Sequence, residues 1–367
     1  MIPVLRGLSA ALVLALTPLS AMAQTPLKLL MDEAMADGSI PAMAVVVIRD
    51  GKVVDQAVAG VRVAGGGDPA RLTDGWHLGS NGKSMTATLI ARLVERGVLR
   101  WDAPLSALLP DVAMNPAFRD VTLADLLAHR AGLRNLDDTA DAALLERAWT
   151  DSRPLAEQRL DFARTVLAEA PIGPARGESV YSNSGSVLVA VVAERATGKA
   201  FETLMQEEVF GPLGMTVDYR PSRPGDLLGH QGGKAVSGLR ADNPPLFHPV
   251  GEVRLSMGDW ATYAIDQMVG EQGRGKLLKV ESYRFLHAVQ GDTDAALGWG
   301  VRTTWPKAAP VRMLMHAGSN GRWYALIALV PDQQDGVLIV ANTAEGEVGG
   351  RETQILLTLM TQLVSKP

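Results

Sequence analysis

The stretch HLGSNGKSMTATL, residues 77–89, sets a serine and a lysine three positions apart where the pattern turns helical. Met85, Leu89 and Leu93 recur on one face, and Gly97 stands just past the end, which predicts a helix starting at the serine. Residues three apart share a helix face, so the Lys83 amine can reach the Ser80 hydroxyl. A serine hydroxyl is a poor nucleophile until a partner takes its proton. Lysine does so only as the neutral amine, which requires burial or a neighbouring positive charge to pull its pKa down from about 10.4. The ending GKS also fits a phosphate-binding loop, but GxxxxGK[ST] needs glycine where His77 stands.

The tetrapeptide Gly79-Ser80-Asn81-Gly82 recurs as Gly318-Ser319-Asn320-Gly321 in HAGSNGRWYALIALV. The second copy runs into Arg322, which cannot give up its proton. The segment after it reads as strand, where residues three apart point to opposite faces. Ser319 therefore has no base beside it, and Arg322 either supplies a fixed cation or is a solvated edge charge. Gly82 within a helix costs about 1 kcal/mol, which a close approach to another backbone would justify.

The 367 residues are 47% hydrophobic and 20% charged with a formal net charge of -5, the composition of a globular protein with one large domain or two. No Lys/Arg cluster marks nucleic acid or an anionic membrane as partner, which leaves a small molecule or short peptide. With no cysteine there is no disulfide, thiolate nucleophile or Cys-bound metal. The six histidines show no HExxH or HxH spacing, so neither a metal nor another cofactor is expected. Residues 1–23 combine Arg6, an apolar run from Leu8 and the end Ala21-Met22-Ala23, which reads as a secretory signal cleaved before Gln24. The mature protein is then expected in the periplasm or outside the cell, without stable membrane insertion.

AMAVVVIRDGKVVDQAVAG predicts a hairpin around Asp50-Gly51. Residues 98–235 read as helix and loop. Strands return in VRMLMHAG, WYALIALVP and GVLIVAN, and RETQILLTLMTQLV closes the chain as an amphipathic helix. The expected class is α+β. Residues 24–97 and 236–367 would form an antiparallel sheet flanked by helices, with 98–235 an inserted all-helical domain.

Two more groups stand in line with Ser80 and Lys83: Tyr181-Ser182-Asn183 after a turn, and His316-Ala317-Gly318 opening the second tetrapeptide. In order and rough spacing they resemble the motifs SxxK, YxN and [KH]xG of the serine β-lactamase and penicillin-binding-protein superfamily, class C branch. LLAHRAGL (126–133), GPLGM (211–215), LGWG (297–300) and LIVANT (338–343) are also similar to that branch. The resemblance implies a β-lactamase/transpeptidase-like fold with the site between sheet and helical insertion. It implies acyl-enzyme chemistry: Ser80 as nucleophile, Lys83 as its proton partner and Tyr181 as the proton shuttle, its pKa lowered by charge on Lys83 and His316. Asn183 would hold Lys83 and a substrate carbonyl, and the amides of Ser80 and Ser319 would hold the oxyanion. His316, Gly318, Ser319 and Asn342 would face the substrate.

His316 departs from the lysine usual in the β-lactamases and peptidases, which is closer to the esterase-like members and weakens a substrate carboxylate as recognition group. His77 is expected to line the approach to Ser80 and His129 to bond backbone beneath it, while Trp76, Trp299 and Trp323 read as core. The sequence thus predicts an exported serine hydrolase acting on an ester, amide or β-lactam. A class C β-lactamase proper, a D-amino-acid peptidase and a ligand-binding relative without turnover are the alternatives. An α/β-hydrolase is not among them, since no GxSxG elbow exists.

Overall fold

The Asp50-Gly51 turn sets the first register of the sheet. Both residues have positive φ, 51° and 71°, as a two-residue hairpin turn of type I′ requires. The turn joins β1 (Ala42–Arg49) to β2 (Lys52–Gly60), with Arg49 opposite Lys52. The computed structural model describes residues 26–136, 141–174, 176–305 and 310–364; the expected signal segment lies outside them.

Five further strands complete one sheet: β3 (Ala295–Ala296), β4 (Trp299–Trp305), β5 (Val311–Ser319), β6 (Tyr324–Val330) and β7 (Asp335–Ala341). Their order is β2-β1-β7-β6-β5-β4-β3, and every pairing is antiparallel. Strand side chains alternate between faces, so β1 feeds two cores. Met43, Val45 and Val47 pack with α1 (Leu27–Ala34) and the closing helix Val348–Val364. Ala44, Val46 and Ile48 belong to a larger core on the other face, which continues without a break through Leu126, Val187 and Val189 of the helical stretch.

In that larger core lie α2 (Gly82–Glu95), α3 (Leu155–Ala168) and α4 (Ser184–Thr197). The sequence predicts one apolar face for α2; the structure buries every residue from Gly82 to Ala91. The helix lies between the sheet and the other helices, so its polar residues find partners inside. Ser84 Oγ donates to Asn81 O (2.8 Å), Thr86 Oγ1 to Pro249 O (2.8 Å) and Thr88 Oγ1 to Ser84 O (3.0 Å). Buried Arg159 of α3 donates to Glu194 of α4 (2.6 Å), joining the two helices. Residues 98–228 hold no strand among those described, and a short hairpin, Gly229–Gln231 with Lys234–Val236, lies across the boundary expected at 235. No helix of the described residues is long and apolar enough to cross a membrane.

Among the described residues, one carboxyl in the core has neither oxygen partnered. Glu352, in the closing helix, is fully buried and neither carboxyl oxygen has a hydrogen-bond partner. Burial pushes its pKa well above the usual carboxylate range and so favours the protonated carboxyl in the folded chain. A folded-state pKa above the unfolded one gives stability that is complete below the unfolded pKa and is lost as pH rises. Glu352→Gln is therefore expected to gain about 1 to 3 kcal/mol over the wild type near pH 8, and little near pH 4. Urea unfolding at the two pH values checks this, and an equal gain at both would contradict it.

Candidate active site

Ser80 sits in the single 3-10 turn Gly79–Asn81 that leads into α2. Gly79 has φ of 52°, a conformation that a side chain disfavours. Glycines also let two backbones meet here. A Cβ on Gly79 would fall 2.5 Å from Ser319 N, and one on Gly318 would fall 2.1 Å from Leu78 O and 2.8 Å from Ser80 N. The two tetrapeptides thus face each other, one at the head of α2 and the other at the end of β5. Asn81 Nδ2 donates to Leu78 O (2.8 Å) and Ala325 O (3.2 Å), fastening the turn to β6. Gly82 meets a third backbone, since its Cβ would lie 2.5 Å from Gly251 Cα.

Lys83 Nζ and Tyr181 OH both donate to Ser80 Oγ, at 2.8 and 2.7 Å. Lys83 Nζ also donates to Val250 O (3.3 Å) and lies 4.9 Å from the centre of the Tyr181 ring. The lysine is 1% exposed. Burial drives its pKa well below the ordinary lysine value, against the opposing pull of Glu252. Tyr181 is 43% exposed, its hydroxyl turned inward to Ser80. Its pKa is raised by burial, with the Ser80 bond opposing. This corrects the expectation that nearby positive charge lowers it: desolvation of the phenolate outweighs the Ser80 bond.

Beside this cluster a cleft of about 460 Å³ is lined by His129, Tyr181, Trp299, Met315 and His316 among others. At its edge Arg302 donates to Asp294 (3.0 Å). His316 Nδ1 donates to Ala317 O (2.9 Å), which leaves a lone pair on Nε2. Burial, then the charge of Lys83, lowers its pKa to about 4, so it is neutral at physiological pH. His129 adopts φ of 58°, accepts from Ser182 N through Nδ1 (3.3 Å), and packs at a tilt with its ring centre 4.6 Å from that of Tyr181. Burial first, then Lys83 and His316, lower its pKa to about 3. It holds the tyrosine loop, and does so as the neutral ring.

Asn183 precedes α4 and its N–H donates to Asn135 Oδ1 (3.1 Å). Its own Oδ1 is buried without a partner, and among the described residues it makes no bond to Lys83. Asn342 stands outside the cluster. It is fully buried, accepts from Ala42 N (2.7 Å) and donates to Leu228 O (3.1 Å). Both ends of its amide bind backbone, so the expected substrate contact is replaced by a structural one. Arg322 donates to Asn320 O within its own loop (3.4 Å) and is absent from the cleft lining.

His77 lies beneath the turn rather than along the approach, 1% exposed. Its Nδ1 accepts from Gly79 N (3.1 Å), so Nε2 carries the proton that goes to Glu252 (3.0 Å). His77, Asp242 and Glu252 bring potential ligand atoms within 4.8 Å of one another. The ring's lone pair, however, points away toward Gly79, and Arg254 already donates to Asp242 (2.7 Å), so the trio suits hydrogen bonding better than a cation. No motif marks Glu252 in the sequence; its signal is a lone carboxylate in the otherwise apolar run Pro249-Val250-Gly251-Glu252-Val253.

The sequence matches the family described as Beta-lactamase over residues 27–360. It is 24% identical to the D-alanyl-D-alanine-carboxypeptidase/endopeptidase AmpH of Escherichia coli K12 over 270 residues, 70% of this chain and 68% of that protein. With Esterase EstB of Burkholderia gladioli it shares 32% identity over 191 residues, 50% of this chain and 48% of the other. Its fold is similar to that of the octameric penicillin-binding protein homologue from Pyrococcus abyssi, with a TM-score of 0.74 and 22% identity over 93% of this chain and 77% of that one. The family match spans both halves of the sheet and the helices between them, and on that ground the chain belongs to the Beta-lactamase family and is a hydrolase.

Proposed function

We propose that the protein hydrolyses uncharged esters or amides through an acyl-enzyme on Ser80. The observation that carries this is the convergence of a buried lysine and a tyrosine on one serine oxygen, at 2.8 and 2.7 Å. Burial favours the neutral amine of Lys83. Its two N–H groups reach Ser80 Oγ and Val250 O; with the Val250 bond kept, the lone pair exchanges places with the other N–H to receive the Ser80 proton. Ser80 Oγ then bonds to the substrate carbonyl carbon, and the carbonyl electron pair moves to oxygen. The backbone amides of Ser80 and Ser319 hold that oxyanion, each such donor being worth about 3 to 4 kcal/mol.

Collapse breaks the bond to the leaving group, which takes a proton from Tyr181 OH as Lys83 returns one to the tyrosine. Water attacks the acyl group next, its proton passes back along Tyr181 and Lys83, and Ser80 is released with its hydroxyl restored. A raised Tyr181 pKa suits this role, because the phenol stays protonated and relays protons. Asn183 Oδ1, buried without a partner, is suited to accept an N–H from the Lys83 ammonium or the substrate during the cycle.

The cleft favours neutral substrates. His316 offers a lone pair where a carboxylate would need a donor, and Arg302 is engaged by Asp294. The signal-like residues 1–23 support a site of action in the periplasm or outside the cell.

A fluorophosphonate is expected to label the wild type at Ser80, at a rate that rises with pH as Lys83 loses its proton. Ser80→Ala abolishes labelling, and Lys83→Arg, which cannot deprotonate, lowers it by about a thousandfold or more. Equal labelling of Ser80→Ala in a folded protein would end the proposal.

Substrate charge is tested at His316. With a pKa of about 4 it does not titrate between pH 5.5 and 8, so its ionisation contributes no step to the ester-hydrolysis profile there. His316→Lys restores a cation and is expected to raise kcat/KM for a carboxylate-bearing cephalosporin or D-alanyl peptide relative to p-nitrophenyl acetate by about tenfold, the effect of one added ion pair. An unchanged ratio would remove His316 as the determinant.

A further inference from the structure

Five consecutive buried residues, 249–253, contact the nucleophile turn and α2. Pro249 O accepts from Thr86 Oγ1 (2.8 Å), and Val250 O accepts from Lys83 Nζ (3.3 Å). Gly251, at φ of 131°, presses so closely on the turn that a Cβ there would fall 1.8 Å from Gly79 O. Glu252 Oε2 accepts from His77 Nε2 (3.0 Å), and Val253 O accepts from Leu78 N (3.2 Å). His77 passes the contact on, since its Nδ1 accepts from Gly79 N (3.1 Å), one residue before the nucleophile.

We propose that His77 and Glu252 are a positioning pair for the reaction: they fix the peptide that leads into Ser80 and set the charge environment in which Lys83 exchanges its proton. The inference rests on the Ser80–Lys83 reading above. Glu252 accepts from Asn243 N (3.1 Å) and Nδ2 (2.6 Å) as well as from His77. Burial works against its charge, but these donors outweigh it and hold the carboxyl below the usual range, so it stays an anion. It stands two residues past Val250, whose carbonyl receives Lys83 Nζ (3.3 Å), and its charge opposes the desolvation of Lys83. The other titratable groups about Lys83 are Tyr181, His129 and His316, and the two histidines are neutral. Behind the pair, Asp242 Oδ1 lies 3.8 Å from His77 Nε2, and Arg254 balances that second carboxylate. Glu252 is thus the anion placed to tune the lysine, and His77 is the link that ties it to the serine turn.

The test follows fluorophosphonate labelling against pH in the wild type, Glu252→Gln and His77→Asn. Failure of the wild type to label at Ser80 would overturn the underlying function, whatever the variants do. Given labelling, Glu252→Gln removes the anion and keeps the shape, so the acid limb of the profile moves to lower pH by about one unit. An unmoved limb in the folded variant overturns the proposal even if the rate falls. His77→Asn keeps an acceptor for Gly79 N but drops the link to Glu252. On p-nitrophenyl acetate it is expected to lower kcat by about tenfold to a hundredfold with KM unchanged, the pattern of a displaced nucleophile. A risen KM with kcat kept, loss of fold in both variants, or abolition of the wild-type rate by EDTA would each overturn it.

Discussion

The site depends on three backbones meeting where no side chain fits. Gly79, Gly82, Gly251 and Gly318 bring the serine turn against the end of β5 on one side and against residues 249–253 on the other. A Cβ at each of these positions would fall between 1.8 and 2.5 Å from the nearest backbone atom. Such separations allow no adjustment by rotamer, so the glycines set the geometry and the chemistry inherits it. The position of Ser80 relative to the Ser319 amide is fixed by main chain, which moves less than side chains do.

Desolvation is the second determinant, and it acts on Lys83, Tyr181, His129 and His316 in the same direction, toward neutrality. It lowers Lys83, His129 and His316 and raises Tyr181. Burial works against the charge of Glu252 as well, but three donors surround it and outweigh that effect. Neutral groups around Ser80 are what the proposed proton transfer and the proposed preference for uncharged substrates both require.

Much of this was legible in the residues. The serine and lysine three apart, the tyrosine two before an asparagine, and the repeated tetrapeptide name the cluster, because local spacing and helix geometry suffice to bring Ser80 and Lys83 together. The hairpin at Asp50-Gly51 and the closing helix were readable for the same local reasons. Asn342 and His77 were misread because each is defined by partners far along the chain, Ala42 and Leu228 for one and Glu252 for the other. The sign of the Tyr181 shift was missed because charge can be counted in a sequence while burial cannot. Glu252 was invisible, since a single carboxylate among apolar residues has no spacing to betray it.

The pairing of β1 with β7 joins residues 42–49 to residues 335–341, and β7 in turn separates β1 from the strands that carry Ser319. The opening hairpin therefore has no sheet to enter until nearly the whole polypeptide has been made. Contacts of such sequence separation form late in folding. The nucleophile turn and the strand facing it lie in different thirds of the chain, so a nascent or truncated polypeptide holds Ser80 without the wall that completes its site. On the proposed reading of Ser80, hydrolytic competence would arrive only at closure, and an unfinished chain would carry the serine idle.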